Sequence, residues 1–202
     1  MPIEHLTLQG TAVVLEAMAV SHAPGLLRAA ESPETFRYFR LGAVPFDIAG
    51  MEHYCTQLIE SPTTLPYVVR DIATGEFVGS TTFCSIREPD RGVEIGWTWY
   101  APSARGTAIN PECKRLLLRR AFETDLFPAG PAIRVELKTD ARNERSRAAI
   151  LKLGATFEGV LRQHVIMPDG HLRNSALYSI LPDEWPAIDA DLARRIDGAQ
   201  AS

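Results

Sequence analysis

The sequence predicts a mixed α/β fold in which strands and helices form one layered domain. Side chains alternate between apolar and polar in residues 93–100 and 134–139, with the period of two expected of strands. Residues 73–75 and 168–170 have turn compositions and connect neighbouring strand segments. An amphipathic helix is predicted at residues 111–126, between the two groups of strands. Strands, then a helix, then further strands indicate a mixed α/β layer architecture.

The first half of the chain is predicted to contain three strands and two helices, delimited by apolar periodicity and turn residues. In chain order these are a strand at residues 11–17, helices at residues 23–31 and 48–60, and a strand at residues 67–71 that returns through Ala73-Thr74-Gly75 as a strand at residues 77–86.

The second half is built around the helix at residues 111–126. Its charged stripe is predicted to face solvent and contains Glu112, Arg115, Arg119 and Glu123, and its apolar stripe contains Cys113, Leu117, Leu118, Ala121 and Phe122. The remaining elements are a strand at residues 134–139, a helix at residues 143–153 that stops at Gly154, and strands at residues 160–166 and 175–181 around the turn Pro168-Asp169-Gly170.

The connection from the strand at residues 93–100 into the long helix has the composition of an anion-binding loop. Its residues Gly106, Thr107 and Ala108 are small, and Asn110 before Pro111 predicts a helix start with Asn110 as the cap. A helix that starts in this way directs backbone N–H groups and the positive end of its dipole at the loop, which favours a phosphate. The alternative is a plain strand-to-helix connection, which also requires a glycine and a cap.

Other nucleotide-binding patterns are absent, since the sequence contains neither G-x-G-x-x-G nor G-x-x-x-x-G-K-[ST] at this connection. Positive charge gathers around the loop and the helix that follows it, on Arg105, Lys114, Arg115, Arg119 and Arg120. Any one of these side chains is as well explained as a solvated group on a helix face.

Length and charge exclude several classes of protein. The 202 residues suffice for a substantial core, and no low-complexity linker divides them, so we expect one domain. A net charge of -4 argues against a nucleic-acid partner. No apolar run approaches the roughly 20 residues that span a bilayer, and residues 1–10 lack a signal-peptide pattern. We therefore expect no membrane association and a cytoplasmic location.

The cysteines and histidines predict neither a disulfide framework nor a metal site. Cys55, Cys84 and Cys113 are odd in number and widely spaced, so buried free thiols are expected. The five histidines lack metal-binding spacing, although His164 and His171 approach each other across the predicted second hairpin.

Two motifs resemble a known family. Ser103-Ala104-Arg105-Gly106-Thr107-Ala108 is similar to the R/Q-x-x-G-x-G/A signature of the GCN5-related N-acetyltransferases (GNAT), with Ser103 in the usual Arg or Gln position. Asn143-Glu144-Arg145-Ser146 resembles the N-x-x-S helix start of the RimJ/RimL-type ribosomal-protein acetyltransferases. The resemblance implies one GNAT-like domain at residues 6–185, with a mixed, mostly antiparallel central sheet flanked by helices, followed by a helical tail at residues 186–202.

The resemblance also implies a reaction and its residues. Acetyl-CoA donates its acetyl group to an amine, either a protein N-terminus or a small molecule, by direct attack in a ternary complex without a metal. Backbone N–H groups around residues 97–100 meet the oxyanion, and Ser146 meets the leaving thiolate. The positions implied to bind the cofactor are Trp99, Tyr100, Arg105, Gly106, Thr107, Ala108, Ile109, Asn110 and Asn143.

Glu136 resembles the position of a catalytic base in some family members, and Glu94 on the central strand is a second candidate. Each has a plain alternative as a solvent-facing or arginine-paired residue. Core packing equally explains Trp99, and helix capping equally explains Asn143. The acidic net charge favours a cationic acceptor by electrostatic steering.

Two other classes of function remain open. A non-catalytic acyl-CoA sensor or scaffold would need the same loop but would not need Ser146. An interaction protein, including a homodimer, could use the apolar stripe of the C-terminal tail, which contains Trp185, Ile188, Leu192 and Ile196. Packing of that stripe on its own domain is the simpler expectation.

Overall fold

An eight-stranded sheet runs through the computed structural model, which describes residues 3–40 and 45–200. Its strand order is β1-β2-β3-β4-β5-β6-β8-β7, and every neighbouring pair is antiparallel except β5 with β6. The predicted mixed, mostly antiparallel α/β sheet is therefore confirmed. The strands are β1 (Leu8–Gln9), β2 (Val13–Ala17), β3 (Leu65–Asp71), β4 (Phe77–Arg87), β5 (Gly92–Tyr100), β6 (Arg134–Asp140), β7 (Thr156–Ile166) and β8 (Leu172–Ile180).

Five α-helices flank the sheet within the described residues. They are α1 (Ala23–Ala30), α2 (Ile48–Glu60), α3 (Ile109–Phe122), α4 (Glu144–Lys152) and α5 (Trp185–Gln200). Tyr54 of α2 contacts Ser80 on β4, whereas Lys114 of α3 reaches Thr98, which bonds Thr81. Adjacent residues of a strand point to opposite faces, so α2 and α3 cover opposite faces of the sheet.

The predicted elements match closely in number and order. The strand expected at residues 11–17 begins at Val13, and β1 was not predicted because two residues are too few to show alternation. Strands β3 and β7 start earlier than expected, and β8 begins at Leu172.

The predicted start of the long helix is wrong. Helix α3 begins at Ile109, and Ala108 occupies the cap position without a side-chain bond, so Asn110 does not cap it. Pro111 is tolerated in the first turn because the N–H groups there have no partner within the helix. The helix also ends at Phe122, four residues before the predicted limit.

Glu112 was predicted to face solvent and instead is 5% exposed. Its carboxylate accepts hydrogen bonds from the backbone N–H groups of Thr11, Ala12 and Val13 at 2.6–2.8 Å. Because α3 crosses the beginning of β2, this carboxylate satisfies donors that would otherwise be buried without partners. Amphipathic periodicity does not reveal such a contact, because a carboxylate on the polar stripe looks solvent-facing.

Helix α5 packs on the domain itself. Trp185, Ile188, Leu192 and Ile196 are between 0% and 6% exposed, and Asp189 forms an ion pair with Arg115 of α3. The apolar stripe of the tail is therefore buried against the rest of the same chain. The boundary at residues 185/186 stays a prediction, and residues 201–202 of the proposed tail lie outside the described residues.

Candidate active site

A cleft opens in the middle of the sheet where β5 and β6 diverge. These parallel strands pair only at Gly92, Val93 and Glu94, although β5 continues to Tyr100 and β6 continues to Asp140. Beyond Glu94, the edge of β5 that faces β6 is unpaired. Backbone donors on that edge are available to a ligand placed between the strands.

A β-bulge fixes the direction of β5 inside the cleft. Trp97 and Thr98 together oppose one residue of β4, Thr81, and Trp97 has a φ of 50°. A left-handed backbone is strained for an aromatic residue and costs on the order of 1–3 kcal/mol. Surrounding contacts hold it, since the Trp97 ring packs against Phe39 and Tyr54.

The side chain of Thr98 ties the same bulge to helix α3. Its Oγ1 lies 2.7 Å from Oγ1 of Thr81 and accepts a hydrogen bond from Nζ of Lys114 at 2.9 Å. Lys114 is 7% exposed, and burial lowers its pKa to about 8. An amine held in this environment is partly neutral near pH 8.

Two more bulges flank the cleft, and each redirects a side chain. Ser85 on β4 has a φ of 49°, and its hydroxyl donates to Glu94. Gln163 on β7 also has a φ of 49°, and the neighbouring His164 contacts Ser175 of β8 at 3.1 Å. Strained residues of this kind gather at functional sites, and here β4, β5 and the edge strand β7 carry them.

The predicted phosphate loop lies at the end of β5. Gly106 has a φ of 80°, and a Cβ built there would meet no atom within 4 Å. Within the described part of the chain, the backbone N–H groups of Gly106, Thr107 and Ala108 have no hydrogen-bond acceptor. The hydroxyl of Thr107 accepts from the N–H of Ile109 at 3.2 Å, which orients the first turn of α3. The loop therefore presents several backbone donors to an anion.

Most of the positive charge predicted around the loop is used elsewhere. Lys114 is held by Thr98, and Arg115 and Arg119 contact Asp189. Arg120 is buried and bonds Thr124.

Arg105 remains at the loop, and its Nε donates to the carbonyl of Tyr100. Partial burial and then the positive charge of Arg145 on α4 lower the pKa of Arg105, so these two cations lie close together. Two neighbouring cations of this kind suit a phosphate ligand.

Helix α4 begins beside the cleft with Asn143 and Ser146. Oδ1 of Asn143 accepts from the backbone N–H of Ser146 at 3.1 Å, so Asn143 caps the helix. Its amide N–H groups remain available to a ligand. The hydroxyl of Ser146 is half-buried and makes no hydrogen bond to the described residues.

The aromatic residues at the end of β5 are directed into the interior. Trp99 is 4% exposed, its Nε1–H donates to the hydroxyl of Tyr54, and its ring packs against Phe36. Burial raises the pKa of Tyr100 well above its usual value, and its hydroxyl lies against Cys113. The side chains of Trp99 and Tyr100 are thus committed to packing, which leaves their backbone groups to line the cleft.

The two candidate bases are register partners with different surroundings. Glu136 pairs with Arg87 and Arg134, each at 2.9 Å. Burial raises the pKa of Glu136, but the bond to Arg134 and the charges of both arginines outweigh it and lower the pKa. A carboxylate held in its ionised form this firmly is a weak proton acceptor.

Glu94 is 8% exposed, and only one of its two carboxylate oxygens contacts a polar partner among the described residues. Its Oε2 accepts from Ser85 at 2.9 Å and pairs with Lys138 of β6, also at 2.9 Å. Its Oε1 lies beside Gly96, in the unpaired part of β5, and receives no hydrogen bond from the described residues. The ion pair spans the diverging strands, so one carboxylate oxygen of Glu94 stays open at the cleft.

Sequence reasoning missed several polar residues around Glu94, namely Ser85, Lys138 and Arg173. Lys138 alternates with Glu136 on a central strand, and a charged residue inside a buried strand is the one signal that could have found it. Ser85 reaches the site through a bulge, and Arg173 reaches it through pairing of β8 with β6, which depend on tertiary structure.

Comparison with models of protein families identifies the family of the chain. The model for the acetyltransferase (GNAT) domain matches residues 12–156. The chain belongs to the GNAT acetyltransferase family. Membership in this family implies acyl transfer from acetyl-CoA. No curated protein sequence matches the chain significantly.

Solved GNAT structures share the fold over nearly the whole chain. A protein from T. thermophilus assigned as an acetyltransferase is 33% identical, with 94% of this chain and 96% of that chain covered and a TM-score of 0.84. A GCN5-related N-acetyltransferase from Brucella melitensis is 25% identical, with coverage of 96% and 86% and a TM-score of 0.85. Mycobacterium smegmatis RimJ, solved with CoA-disulfide, is 23% identical, with coverage of 96% and 97% and a TM-score of 0.78, and shows the fold alone.

Two further findings concern residues 3–40 and 45–200. None of their helices has the length and apolar character needed to cross a bilayer. No group of three or more His, Cys, Asp or Glu side chains is arranged to hold a metal ion in this part of the chain.

Proposed function

We propose that this GNAT protein transfers the acetyl group of acetyl-CoA to an amine by direct attack in a ternary complex. The observation that carries the proposal is the divergence of β5 from β6, with an open phosphate loop at the end of β5. The cleft supplies unpaired backbone donors beside a gap between strands that suits a thioester. The loop supplies an anchor for a phosphate-bearing cosubstrate.

The residues around the loop fit coenzyme A. Backbone N–H groups at residues 106–108 face the loop, with Ile109 and Asn110 in the following first turn of α3. Arg105 and Arg145 add two neighbouring positive charges. The free amide N–H groups of Asn143 can bond the pantetheine arm. When bound, acetyl-CoA supplies an acyl thioester, the electrophile of the reaction.

Glu94 is the proposed proton acceptor. An α-amino group with a pKa of about 8 is largely protonated at pH 7 and must lose a proton to attack. The free Oε1 of Glu94 accepts that proton directly or through one water. Glu136, the other candidate, is engaged by two arginines.

Charge that develops during transfer is met from two sides of the cleft. Backbone N–H groups of β5 near Trp97 and Thr98 stabilise negative charge on the carbonyl oxygen, and the strained bulge holds them in place. The Ser146 hydroxyl donates a hydrogen bond to the leaving sulfur, since its oxygen is uncommitted within the described residues. The new N–C bond forms first and gives the tetrahedral oxyanion, and the C–S bond then breaks to release coenzyme A as the thiolate.

The acceptor is an amine, either a protein N-terminus or a small molecule. Among proteins with the same fold, one is described as RimL, a ribosomal L7/L12 α-N-protein acetyltransferase. At 18% identity that likeness shows the fold alone and does not choose between the two kinds of acceptor.

Thiol release from acetyl-CoA tests the proposal against a panel of small amines and N-terminal peptides. We expect amine-dependent release of coenzyme A and an acetylated product in the mass spectrum. Coenzyme A binding by calorimetry without release for any amine would instead favour a non-catalytic acyl-CoA sensor. Absence of both binding and release would contradict the proposal.

A further inference from the structure

A group of polar side chains lies at the open end of the cleft, on the face of the sheet that carries Glu94. This group, which we call the polar cluster, consists of Glu94, Lys138, His164, Arg173 and Ser175. The pairing of β6 with β8 brings the members together. Beyond the point where β6 stops pairing with β5, Lys138 lies opposite Leu177 and Asp140 lies opposite Ser175. The cluster therefore borders the space that an acceptor must cross to reach Glu94.

Most charges in and around the cluster are neutralised in pairs. Lys138 pairs with Glu94 at 2.9 Å, and Arg142 pairs with Asp140 at 2.8 Å. Arg173 is the exception, since none of the described carboxylates lies within ion-pair distance of its guanidinium. The cluster thus carries one positive charge without a partner of its own.

Only one of the three guanidinium nitrogens of Arg173 has a hydrogen-bond acceptor among the described residues. Nη1 donates to the backbone carbonyl of Tyr38 at 3.2 Å, which fixes the side chain across the cleft end. Nε is sealed from solvent without an acceptor in the described chain. Nη2 forms no hydrogen bond with a described residue and is accessible to solvent, so its N–H groups can reach a ligand.

Leaving a guanidinium in this state is energetically unfavourable. A buried donor without an acceptor destabilises the folded state, and does so more strongly when it is charged. Burial lowers the pKa of Arg173 even though Asp140 and Glu94 act in the opposite direction, so the nearby carboxylates do not replace the lost hydration. A planar guanidinium is matched best by a carboxylate, which accepts two of its N–H groups.

We propose that Arg173 binds a carboxylate of the acceptor, so that the substrate class is an amine that also carries a carboxylate. This inference rests on the proposed acetyltransferase function. Glu94 lies on β5 and Arg173 on β8, with Lys138 of β6 between these strands, which suits an amine beside Glu94 and a carboxylate beside Arg173. The neighbouring imidazole of His164 contributes little charge, because partial burial, Lys138 and Arg173 lower its pKa.

The local charge at the cluster therefore points to a different acceptor from the one that the net charge of the chain favours. Steering by a net charge of -4 suits a cationic amine. Contact with Arg173 acts at hydrogen-bond distance, where charge is screened least, and decides which acceptor is held. An amino acid and a peptide with an acidic N-terminal residue share this chemistry.

Matched acceptors test the inference. The two members of each pair differ only in that one carries a carboxylate and the other carries a carboxamide. One set of pairs consists of ω-amino acids and their amides, and a second set consists of peptides that begin with Asp or Asn. In at least one pair, we expect kcat/KM for the carboxylate member to be about tenfold or more above that for its carboxamide partner. The set in which this occurs shows whether the carboxylate belongs to an amino acid or to a peptide. Equal values in every pair would overturn the inference.

Arg173→Met assigns the preference to its residue. We expect the variant to lower kcat/KM for the carboxylate acceptor about tenfold or more and to leave the amide acceptor within about twofold. Arg173→Lys should retain part of the preference. The matched control is Arg162→Met, at an exposed arginine of β7 whose side chain forms no ion pair with the described residues, and it should change neither acceptor. Equal losses for both acceptors in Arg173→Met would make the residue structural and overturn the inference.

A binding measurement separates this inference from the proposed function. If no amine supports thiol release, the transferase proposal fails. The carboxylate site is then tested by itself, by titrating the protein with glutarate in the presence of coenzyme A and monitoring binding by NMR. Glutarate binding that Arg173→Met abolishes supports a carboxylate site. Glutarate binding that is absent, or unchanged in Arg173→Met, overturns it.

Discussion

Glu94 and Glu136 are register partners on β5 and β6, and their surroundings give the two carboxylates different chemistry. Two arginines hold Glu136, whereas Glu94 keeps an oxygen beside the unpaired part of β5. The sequence showed both as polar residues on strands and could not rank them. Packing from β4, which brings Arg87 to one carboxylate and Ser85 to the other, makes the difference.

Glu94→Gln should therefore remove the inflection on the acidic limb of the pH–rate profile. Loss of a general base lowers kcat/KM by about 10² to 10⁴. Coenzyme A affinity, measured by calorimetry, should change little. Glu136→Gln is the matched control on the neighbouring strand and should keep the inflection. An unaltered acidic limb in Glu94→Gln would mean that water or the substrate's own free amine fraction suffices.

Ser146→Ala should act mainly in the transition state. An aliphatic hydroxyl is too weak an acid to protonate a thiolate outright, so its contribution is a hydrogen bond that strengthens as the C–S bond breaks. We expect kcat to fall roughly ten- to a thousand-fold, with a much smaller change in coenzyme A Kd. Ser61→Ala, after the end of α2, serves as control. Parallel losses of binding and turnover would instead make Ser146 a cofactor-positioning residue.

At the scale of elements, the connection from β5 to α3 carries the proposed binding of coenzyme A. The strand-to-helix connection lies at the expected residues, yet its helix begins at Ile109 without the Asn110 cap. Its open N–H groups come from the backbone conformation at Gly106, which has a φ of 80°, and from the missing cap. A capping side chain would occupy donors that a phosphate needs.

Ala108→Glu tests the loop. A carboxylate at this buried position meets the pyrophosphate with like charge, and we expect coenzyme A affinity to fall by about a hundredfold or more. Thr107→Glu places the same charge on an exposed residue of the loop and should act in the same direction if Ala108→Glu does not fold. Ala73→Glu, in the exposed β3–β4 turn, is the control. Calorimetry that gives unchanged affinity in folded Ala108→Glu and Thr107→Glu would remove the loop from the site.

At the scale of the whole molecule, contacts between distant segments hold the sheet and helices in register. Glu112 of α3 bonds the backbone of residues 11–13, about 100 positions earlier in the chain, and Arg115 bonds Asp189 of α5. The helix that starts at the proposed phosphate loop is thus fixed at two points on its polar stripe. Its direction, and with it the direction of the loop, depends on both ends of the sequence.

Glu112→Gln should destabilise the fold. The amide has one acceptor oxygen, so its N–H groups face the backbone donors of residues 11–13 that the carboxylate now satisfies. We expect a loss of about 2–4 kcal/mol in the free energy of unfolding, measured by urea denaturation with an unchanged slope. Glu60→Gln, at the exposed end of α2, should be neutral. Equal midpoints for the two variants would show that these bonds add no net stability.

The sequence by itself determined most of the elements, their order and the place of the small-residue loop between β5 and α3. These features are local, because alternation, turn residues and small loop residues express backbone preferences within a few positions. Cys113 illustrates this, since its place in an apolar stripe predicted the buried thiol that is found, with a pKa raised by burial to about 12.

Tertiary structure alone decided which polar side chains meet. Lys138 reaches Glu94, Arg173 reaches the carbonyl of Tyr38, and Lys114 reaches Thr98 across long sequence separations. Bulges at Ser85, Trp97 and Gln163 set where these side chains point, and no local pattern marks a bulge in advance. The proposed proton transfer and acceptor choice depend on distances of about 3 Å between such groups, which only the packing of strands and helices defines.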